Sequence, residues 1–596
     1  MSIVSEIKPL VGKSLKQLYG YDVTESDLTI STTKTEFEGD YTIVLFSFVK
    51  QLRKSPEVLG QEIGELLLKE NADLFSSFNV IKGFLNLSIT DDYWSEFLNN
   101  FFGDKNFGRS GAHEQRVMVE YSSPNTNKPL HLGHLRNNFL GWSVAEMLKY
   151  TGNEVIKSCI VNDRGIHICK SMIAWQKFAN GATPESEQMK GDHFVGEYYV
   201  RFNVVYKTQV EDLVARGMKK EDAEKEAPIM KETQQMLQDW EAGDPEVMSL
   251  WKRMNGWVYD GFDVTYKRIG SDFQKTYYES ETYLPGKRFV EEGLKEGIFY
   301  QKEDGSVWID LTEDGLDEKL VIRKDGTSVY ITQDLGLAQQ KFEEFKYDES
   351  IYVIADEQNY HMKVLKLILQ KLGKPYASGI FHLSYGMVEL PTGRMKSREG
   401  TVVDADDLIE EMVKVAKNKT EELGKVKDFS GDELKELYDT LALGALKFYL
   451  LRVDPKKRMI FNPEESIDFH GFTGPFIQYT HARIRSILRK AGEAPIISNA
   501  LGGEATAMLK LEKEIIILLE QYPETIAQAV SEHNPSLIAI YVFTLAKLFN
   551  SFYTEHSVMN AESAEKKQLR LRISEMTANV IASSMHLLGI KVPERM

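Results

Sequence analysis

The stretch that decides the fold is residues 117–161, VMVEYSSPNTNKPLHLGHLRNNFLGWSVAEMLKYTGNEVIKSCIV. Apolar residues alternate over 117–121 as in a β-strand, and the breaker-rich loop 122–129 follows. Helical spacing then runs from about 134 to 152, where a glycine suits a helix end. A second strand is predicted at 155–161. The order strand, loop, helix, strand indicates a parallel βαβ unit.

The same rhythm returns further along the chain, after a polar, tryptophan-containing segment at about 181–270 that we interpret as a helical insertion. Later strands are predicted at 307–311, 351–355 and 382–390, and a helix at 362–372. An Asp-Gly dipeptide predicts a hairpin whose strands are 320–323 and 328–332. The fold class is therefore α/β, with a doubly wound parallel sheet of the Rossmann type.

Changes in pattern divide the chain into three predicted domains. Residues 1–112 form an N-terminal α+β domain, with strands at 41–48 and 81–89 around a helix at 56–70. Residues 113–470 form the α/β domain with its insertion, and residues 471–596 form an all-α domain because helical periodicity dominates there.

Composition excludes several classes of protein. The 596 residues are 42% hydrophobic and 27% charged, as in globular proteins, and no apolar run reaches the ~18–20 residues of a membrane span. Two cysteines, Cys159 and Cys169, lack a ligand set at zinc spacing, so we expect buried free thiols. The net charge of −17 argues against a surface coated in basic residues, although a local basic track remains compatible with it.

The junction between the first strand and its helix carries the clearest chemistry. His131 and His134 flank Gly133, and Lys128 lies just before them. At the start of a helix such histidines can donate ring N–H groups to a phosphate, while glycine admits a ligand close to the backbone. This suits attack on a nucleotide α-phosphate without a covalent enzyme intermediate. The alternative is a histidine pair that merely caps the helix.

These residues belong to a longer resemblance. Residues 120–137 (EYSSPNTNKPLHLGHLRN) resemble the signature region, with the HIGH motif, of class I aminoacyl-tRNA synthetases, specifically of arginyl-tRNA synthetases. Further similar segments follow the family order: 81–86 in the N-terminal domain, 393–401 (GRMKSREGT) at the second ATP loop, 472–483 at the start of the anticodon-binding domain and 592–596 at the end. The resemblance implies an arginine–tRNA ligase that forms arginyl-adenylate from L-arginine and ATP, and then arginyl-tRNA(Arg).

The resemblance also assigns residues. In the second loop Ser397 stands where most class I enzymes have a lysine, and Lys128 is expected to supply that charge. The implied catalytic residues are Lys128, His131, Gly133, His134, Lys396 and Arg398. The implied ATP contacts are His131, His134, His361, Met395, Lys396 and Ser397, although His361 is equally interpretable as a helix-surface histidine.

A guanidinium substrate requires carboxylates and planar acceptors at the end of its pocket. We predict that Asp334, Tyr330 and Glu120 provide them, and the family resemblance adds Asn125, Gln358 and His134. Asp334 is placed at the end of the predicted 328–332 strand, where it opens a helix. The alternatives are a plain N-cap for Asp334 and a core aromatic for Tyr330.

Two basic segments, 447–458 and 481–490, are the clearest candidates for RNA contact, and within the second we predict Arg483, Arg485 and Arg489 as tRNA-binding residues. Mg²⁺ is expected as the phosphate partner of ATP, and no protein-bound metal is expected. We expect a cytoplasmic monomer that binds neither membrane nor DNA. Two rival functions remain, another H-x-G-H nucleotidylyltransferase and a catalytically silent, synthetase-like RNA-binding protein.

Overall fold

The computed structural model describes residues 2–34, 36–111, 115–282, 286–389, 391, 403–422, 429–492, 495 and 507–596, with the side chain of residue 287 also left out. The described chain forms an α+β part, a central α/β part and a C-terminal helical part, in that order. The predicted fold class is confirmed.

The N-terminal part is a four-stranded antiparallel sheet of order β1-β2-β4-β3, covered by helices. Its strands are β1 Ile30–Thr32, β2 Tyr41–Val44, β3 Phe75–Ile81 and β4 Phe84–Ile89, and its helices are α1 Ile3–Tyr19, α2 Val49–Leu52, α3 Pro56–Glu70 and α4 Asp91–Phe101. The strand predicted at 41–48 is too long, because the chain leaves the sheet after Val44 and turns as a 3₁₀ helix at Phe46–Phe48.

The central sheet has five parallel strands in the order β12-β11-β5-β6-β7. They are β5 Arg116–Glu120, β6 Glu154–Val161, β7 Lys275–Tyr278, β11 Glu349–Ala355 and β12 Ile380–Tyr385. The chain winds outward in one direction from β5 to β7 and in the other through β11 to β12. Ligands of such doubly wound sheets bind at the carboxyl ends of the strands where the winding direction changes, here between β5 and β11.

Helices cover both faces of this sheet. They are α5 Leu132–Tyr150, α6 Ile166–Phe178, α13 Tyr330–Phe345 and α14 Asn359–Lys371. Val117 and Val119 on β5 pack into the core that contains α5, whereas Met118 packs into the core that contains α13 and α14. Strand β5 is thus buried on both faces, which explains why Met118, between the alternating Val117 and Val119, is apolar too.

The insertion is helical, as predicted. It contains α7 Gly191–Ala215, α8 Lys220–Glu226, α9 Pro228–Glu241 and α10 Pro245–Ile269. Its aromatic residues form its core: the ring centroids of Trp240 and Trp251 are 5.6 Å apart, and those of Phe194 and Trp257 are 5.5 Å apart.

The predicted hairpin is only half right. A small antiparallel sheet contains β8 Tyr300–Gln301, β9 Val307–Ile309 and β10 Lys319–Ile322, preceded by α11 Glu279–Thr282 and α12 Gly286–Lys295. Residues 328–332 form no second strand, because Ser328 makes a single bridge to Ile322 and α13 begins at Tyr330. Ile331 and Leu335 are buried at helical spacing, so a short apolar run that fits both structures folds as a helix.

The strand predicted at 382–390 is also divided, into β12 and the short β13 Val388–Glu389, which pairs with β14 Met459–Ile460 in another sheet. The rest of the described C-terminal part is helical: α15 Ala405–Glu422, α16 Gly431–Leu451, α17 Pro463–Ser466, α18 Gly474–Ala491, α19 Lys510–Glu520, α20 Tyr522–Ser531, α21 Pro535–Glu555 and α22 Ala564–Leu587.

Helix α21 is the one described helix that is long and apolar enough to cross a membrane by length and composition. Its side chains Ile538, Val542, Leu545 and Phe549 are fully buried among the helices of the C-terminal core. It has the packing of a core helix.

The N-terminal and C-terminal parts dock directly on each other. The buried carboxylate of Glu520 accepts hydrogen bonds from the backbone N–H of Ile3 (2.6 Å) and the hydroxyl of Tyr41 (3.0 Å). Lys513 lies 2.9 Å from Asp40 and donates to the carbonyl of Ile89. These bonds join the N-terminal part to the C-terminal part, although the whole central α/β part lies between them in the sequence.

Candidate active site

The start of α5 arranges the two histidines of the signature. His131 is the N-cap of α5, and its Nδ1 accepts a hydrogen bond from the backbone N–H of Gly133 (3.1 Å). The Nδ1 atom of His134 accepts from the backbone N–H of His131, also at 3.1 Å. The ring centroids lie 3.8 Å apart. The histidines do cap the helix, but the cap uses only one nitrogen of each ring.

The other nitrogen of each ring is therefore a donor. An Nδ1 atom that accepts a hydrogen bond carries no proton, so a neutral ring has its proton on Nε2. Burial, with the nearby Lys128 charge, lowers the pKa of His131 to about 3, and burial likewise puts the pKa of His134 well below its usual value. Both rings are therefore neutral at physiological pH and offer Nε2–H donors held in place by the cap.

Gly133 leaves room for the His131 ring. A Cβ atom at this position would lie 3.0 Å from Cε1 and 3.1 Å from Nδ1 of the His131 ring. A side chain here would force the His131 ring to shift by a few tenths of an ångström.

Lys128 lies four residues before the first residue of α5. It lines a cleft of 590 Å³ with Leu130, His193 and Asp404. Burial lowers the pKa of its ammonium group. Burial is the sole cause of this shift, and within the described ranges no carboxylate forms an ion pair with Lys128, so its charge is available to an anionic ligand.

Asp334 and His361 come together at the carboxyl edge of the sheet. Oδ2 of Asp334 lies 2.6 Å from Nε2 of His361, and this carboxylate raises the pKa of the imidazole. Asp334 lies inside α13, one turn after its first residue, so it neither ends a strand nor serves as an N-cap. Tyr330, the first residue of α13, is 73% exposed and is no core aromatic.

Glu120 has a partner that its sequence position did not reveal. Its carboxylate forms a buried ion pair with Lys341 of α13, which is fully buried. The ammonium of Lys341 also lies 4.3 Å from the ring centroid of Tyr352. Two buried opposite charges satisfy each other here, so Glu120 is not a free carboxylate at the pocket.

Glu279 is a carboxylate that the sequence analysis missed. It follows β7 directly, at the same edge of the sheet, and Asp334, Asp163 and Arg164 all act on it electrostatically. Burial, partly opposed by Arg164, raises its pKa to about 7. Strand β7 is only four residues long, so alternation gave no signal for it.

Two further predicted residues lie at this edge. Asn125 pairs through its backbone with Asn162 beyond the end of β6, and Gln358 is the exposed N-cap of α14, three residues before His361. The predicted second ATP loop, with Met395, Lys396, Ser397 and Arg398, lies outside the described residues.

The three arginines predicted to contact tRNA lie in different surroundings. Arg483 packs over the ring of Tyr479 (4.8 Å) and lines a 240 Å³ pocket with Arg489 and Tyr553. Arg485 instead faces α22, where it bonds Glu575 (3.4 Å) and Asn579 (3.3 Å). Only two of the three therefore share one pocket.

The basic segment 447–458 begins with a residue that cannot meet RNA. Lys447 is buried and donates to the carbonyl of Gly589 (2.6 Å), and burial lowers its pKa to about 8. The positive charges exposed in this segment are Lys456, Lys457 and Arg458.

Three family models match the chain in the order of these parts. The arginyl-tRNA synthetase N-terminal domain matches residues 5–89, the catalytic domain of class I (R) tRNA synthetases matches residues 98–462, and the DALR anticodon-binding domain matches residues 477–596. A doubly wound sheet, a histidine-capped helix after its first strand and these matches define a class I tRNA synthetase.

Relatives narrow the class. The chain is 52% identical over 598 residues to the arginine–tRNA ligase of Bacteroides thetaiotaomicron and 51% identical over 597 residues to that of Amoebophilus asiaticus, with all of both chains covered each time. The chain belongs to the arginyl-tRNA synthetases, the arginine–tRNA ligases. The predicted family is confirmed.

Solved structures agree with the fold. The arginyl-tRNA synthetase of Thermus thermophilus superposes with a TM-score of 0.80 at 24% identity, covering 99% of this chain and all of the other. The enzyme of Plasmodium falciparum gives 0.77 at 18% identity over 100% of this chain and 99% of that one.

Proposed function

We propose how the described residues carry out the ligase reaction. L-Arginine and ATP give arginyl-adenylate and pyrophosphate, and the 3′-terminal ribose of tRNA(Arg) then takes the arginyl group. His131 and His134 donate their Nε2–H groups to the α-phosphate as charge develops on it, and Lys128 adds its positive charge. The observation that carries this proposal is the pair of neutral, Nδ1-capped rings beside Lys128, which has no ion pair with a carboxylate in the part of the chain that the structure describes.

The arginine pocket is proposed around Asp334, with Tyr330, Glu279, Asn125 and Gln358 near it. A guanidinium group offers five donors in a plane, and two carboxylates with amide oxygens match it. Asp334 lies close enough to Glu279 to contribute to the raised pKa of that carboxyl, so a guanidinium bound there would meet both side chains. His361 is proposed as an ATP contact held by Asp334.

Mg²⁺ is proposed as the partner of the ATP phosphates. Among the described residues, Asp192, His193 and Asp406 have ligand atoms at metal spacing, but the ammonium of Lys190 lies 2.6 Å from Asp406 and 3.0 Å from Asp192. That cluster already holds a cation, so it does not fit a protein-bound Mg²⁺. We propose that Mg²⁺ enters with ATP.

We propose that tRNA binds along the N-terminal and C-terminal domains, with Arg483 and Arg489 at the 240 Å³ pocket. Arginines beside the exposed ring of Tyr553 and the half-buried ring of Tyr479 suit an unstacked RNA base. We further propose that the domain boundaries lie near residues 112 and 470. The proposed protein is a cytoplasmic monomer that binds neither DNA nor membranes.

Pyrophosphate exchange with each amino acid tests the function, first without tRNA and then with tRNA(Arg) whose terminal ribose is oxidised. We expect exchange with arginine alone among the amino acids, and only with tRNA, since Ser397 leaves the second ATP loop without its usual lysine. Maximal exchange without tRNA would contradict this coupling. The nucleotidylyltransferase rival predicts no arginine dependence, and the silent rival predicts tRNA binding without exchange.

A further inference from the structure

Two short backbone segments pair beside the catalytic candidates. The backbone N–H of Leu132 donates to the carbonyl of Val403 (3.2 Å), and the N–H of Ala405 donates to the carbonyl of Leu130 (3.0 Å). His131 and Asp404 face each other in this antiparallel bridge. The residues that precede α15 therefore fix the backbone that carries His131 and follows Lys128.

The start of α15 is held in turn by the helical insertion. Asp406 accepts hydrogen bonds from Nζ of Lys190 (2.6 Å), from the hydroxyl of Thr265 (3.0 Å) and from Nε2 of His193 (3.1 Å). Lys190 and His193 lie at the start of α7, and Thr265 lies on α10. One carboxylate thus receives donors from two insertion helices.

Asp404 completes this cluster. Its Oδ1 accepts from the backbone N–H groups of Asp406 (2.8 Å) and Asp407 (3.1 Å), which caps α15, and its Oδ2 lies 3.4 Å from His193. Asp404 is also the residue that pairs through its backbone with His131, so it connects the cluster to the histidine proposed to be catalytic.

Close packing of α7 on α10 brings the donors together. A Cβ atom at Gly191 would lie 1.9 Å from the carbonyl oxygen of Trp257, and one at Gly261 would lie 2.4 Å from Oδ1 of Asp192. The two glycines let the helices approach until Lys190 bonds both Asp192 and Asp406. Asp192 is fully buried in this cluster, whereas the side chains of Lys190 and Asp406 are partly exposed.

We propose that Asp406 is a positioning residue for adenylate formation. Through Lys190 and Thr265 it fixes the start of α15 to the insertion, and through the pairing at Asp404 it orients His131 and Lys128. This inference rests on the roles proposed for those two residues. A change in how the insertion sits is thereby transmitted to the phosphate site.

The chain offers a matched control. Arg268 of α10 lies 2.6 Å from Glu410 of α15, so this ion pair joins the same two helices one turn further from the bridge. If the Asp406 contacts merely hold the helices together, then Glu410→Gln and Asp406→Asn have similar effects. If Asp406 positions the catalytic backbone, only Asp406→Asn affects the chemistry.

The experiment measures pyrophosphate exchange by the full-length enzyme in the presence of tRNA(Arg), with melting curves for each variant. We expect Asp406→Asn to lower turnover at least tenfold, since a misplacement of about 1 Å costs up to ~100-fold. The KM for arginine of Asp406→Asn stays within twofold of the wild-type value. Glu410→Gln keeps the wild-type turnover and the wild-type KM for arginine. Lys190→Arg retains most of the turnover, and adding Lys190→Met to Asp406→Asn causes no further loss.

The proposal is overturned if the turnover of Asp406→Asn stays within twofold of the wild type. It is also overturned if Glu410→Gln loses as much turnover as Asp406→Asn, or if the KM for arginine of Asp406→Asn rises by the same factor as its turnover falls. If Asp406→Asn does not fold, Thr265→Val removes one bond to the same carboxylate without changing charge. It must then lower turnover at unchanged KM, and wild-type turnover would overturn the proposal. Failure of the catalytic assignment itself is seen separately, as normal exchange in Lys128→Ala.

Discussion

Replacing Glu120 by glutamine tests what the end of β5 contributes. The variant leaves the Lys341 ammonium in a site where it is fully buried between the rings of Tyr352 and Tyr277, with no carboxylate opposite it. Removing one partner of a buried ion pair costs ~3–5 kcal/mol. We therefore expect the free energy of unfolding of the catalytic domain to fall by about that amount.

The assay is urea unfolding, followed alongside the KM for arginine. A double variant, Glu120→Gln with Lys341→Met, removes both charges and should recover most of the lost stability, since an apolar replacement of a buried pair is often neutral. Its KM for arginine should stay close to that of the wild type, because Glu120 is already paired. An unchanged urea midpoint for Glu120→Gln would refute this reasoning. A KM for arginine that is raised in the double variant, relative to the wild type, would instead favour Glu120 as a direct arginine ligand, as its sequence context predicts.

Three other expectations concern the proposed site. Asp334→Asn removes a charge-assisted bond of ~1.5–3 kcal/mol, so the KM for arginine should rise about ten- to a hundredfold with that for ATP little changed, and an unchanged arginine constant would contradict the pocket. Lys128→Ala should lower exchange turnover by ~10²–10³ with little loss of ATP binding, whereas normal turnover would assign the charge to Lys396 or Arg398. Because the pKa of Glu279 is about 7 and its ionised form is the one that attracts a guanidinium, the KM for arginine should rise as the pH falls below 7, by up to about tenfold per pH unit. Glu279→Gln should flatten that profile, and a profile that persists in the variant would exclude this carboxylate as its source.

The sequence by itself determined the features that depend on neighbours along the chain. The alternation in β5, the breakers after it and the helix from residue 132 are local signals, and so is the glycine between the two histidines. The motifs that identify the family are also contiguous, so the class of enzyme was predictable, and the residues proposed to bind phosphate lie in the first of these motifs. Where a local signal was ambiguous the prediction was wrong, as at 328–332, because a short apolar run fits a strand and a helix equally well.

Only the tertiary structure decided which side chains share an environment. Glu120 pairs with Lys341, 221 positions later, and Asp406 pairs with Lys190, 216 positions earlier. Glu279 lies near Asp334 because β7 ends and α13 begins at the same edge of the sheet. In the sequence Lys447 belongs to the basic segment 447–458, but in the structure it is buried. Burial and the distance between charges set pKa values and partners, and both depend on how helices and strands pack rather than on the residues that flank each position.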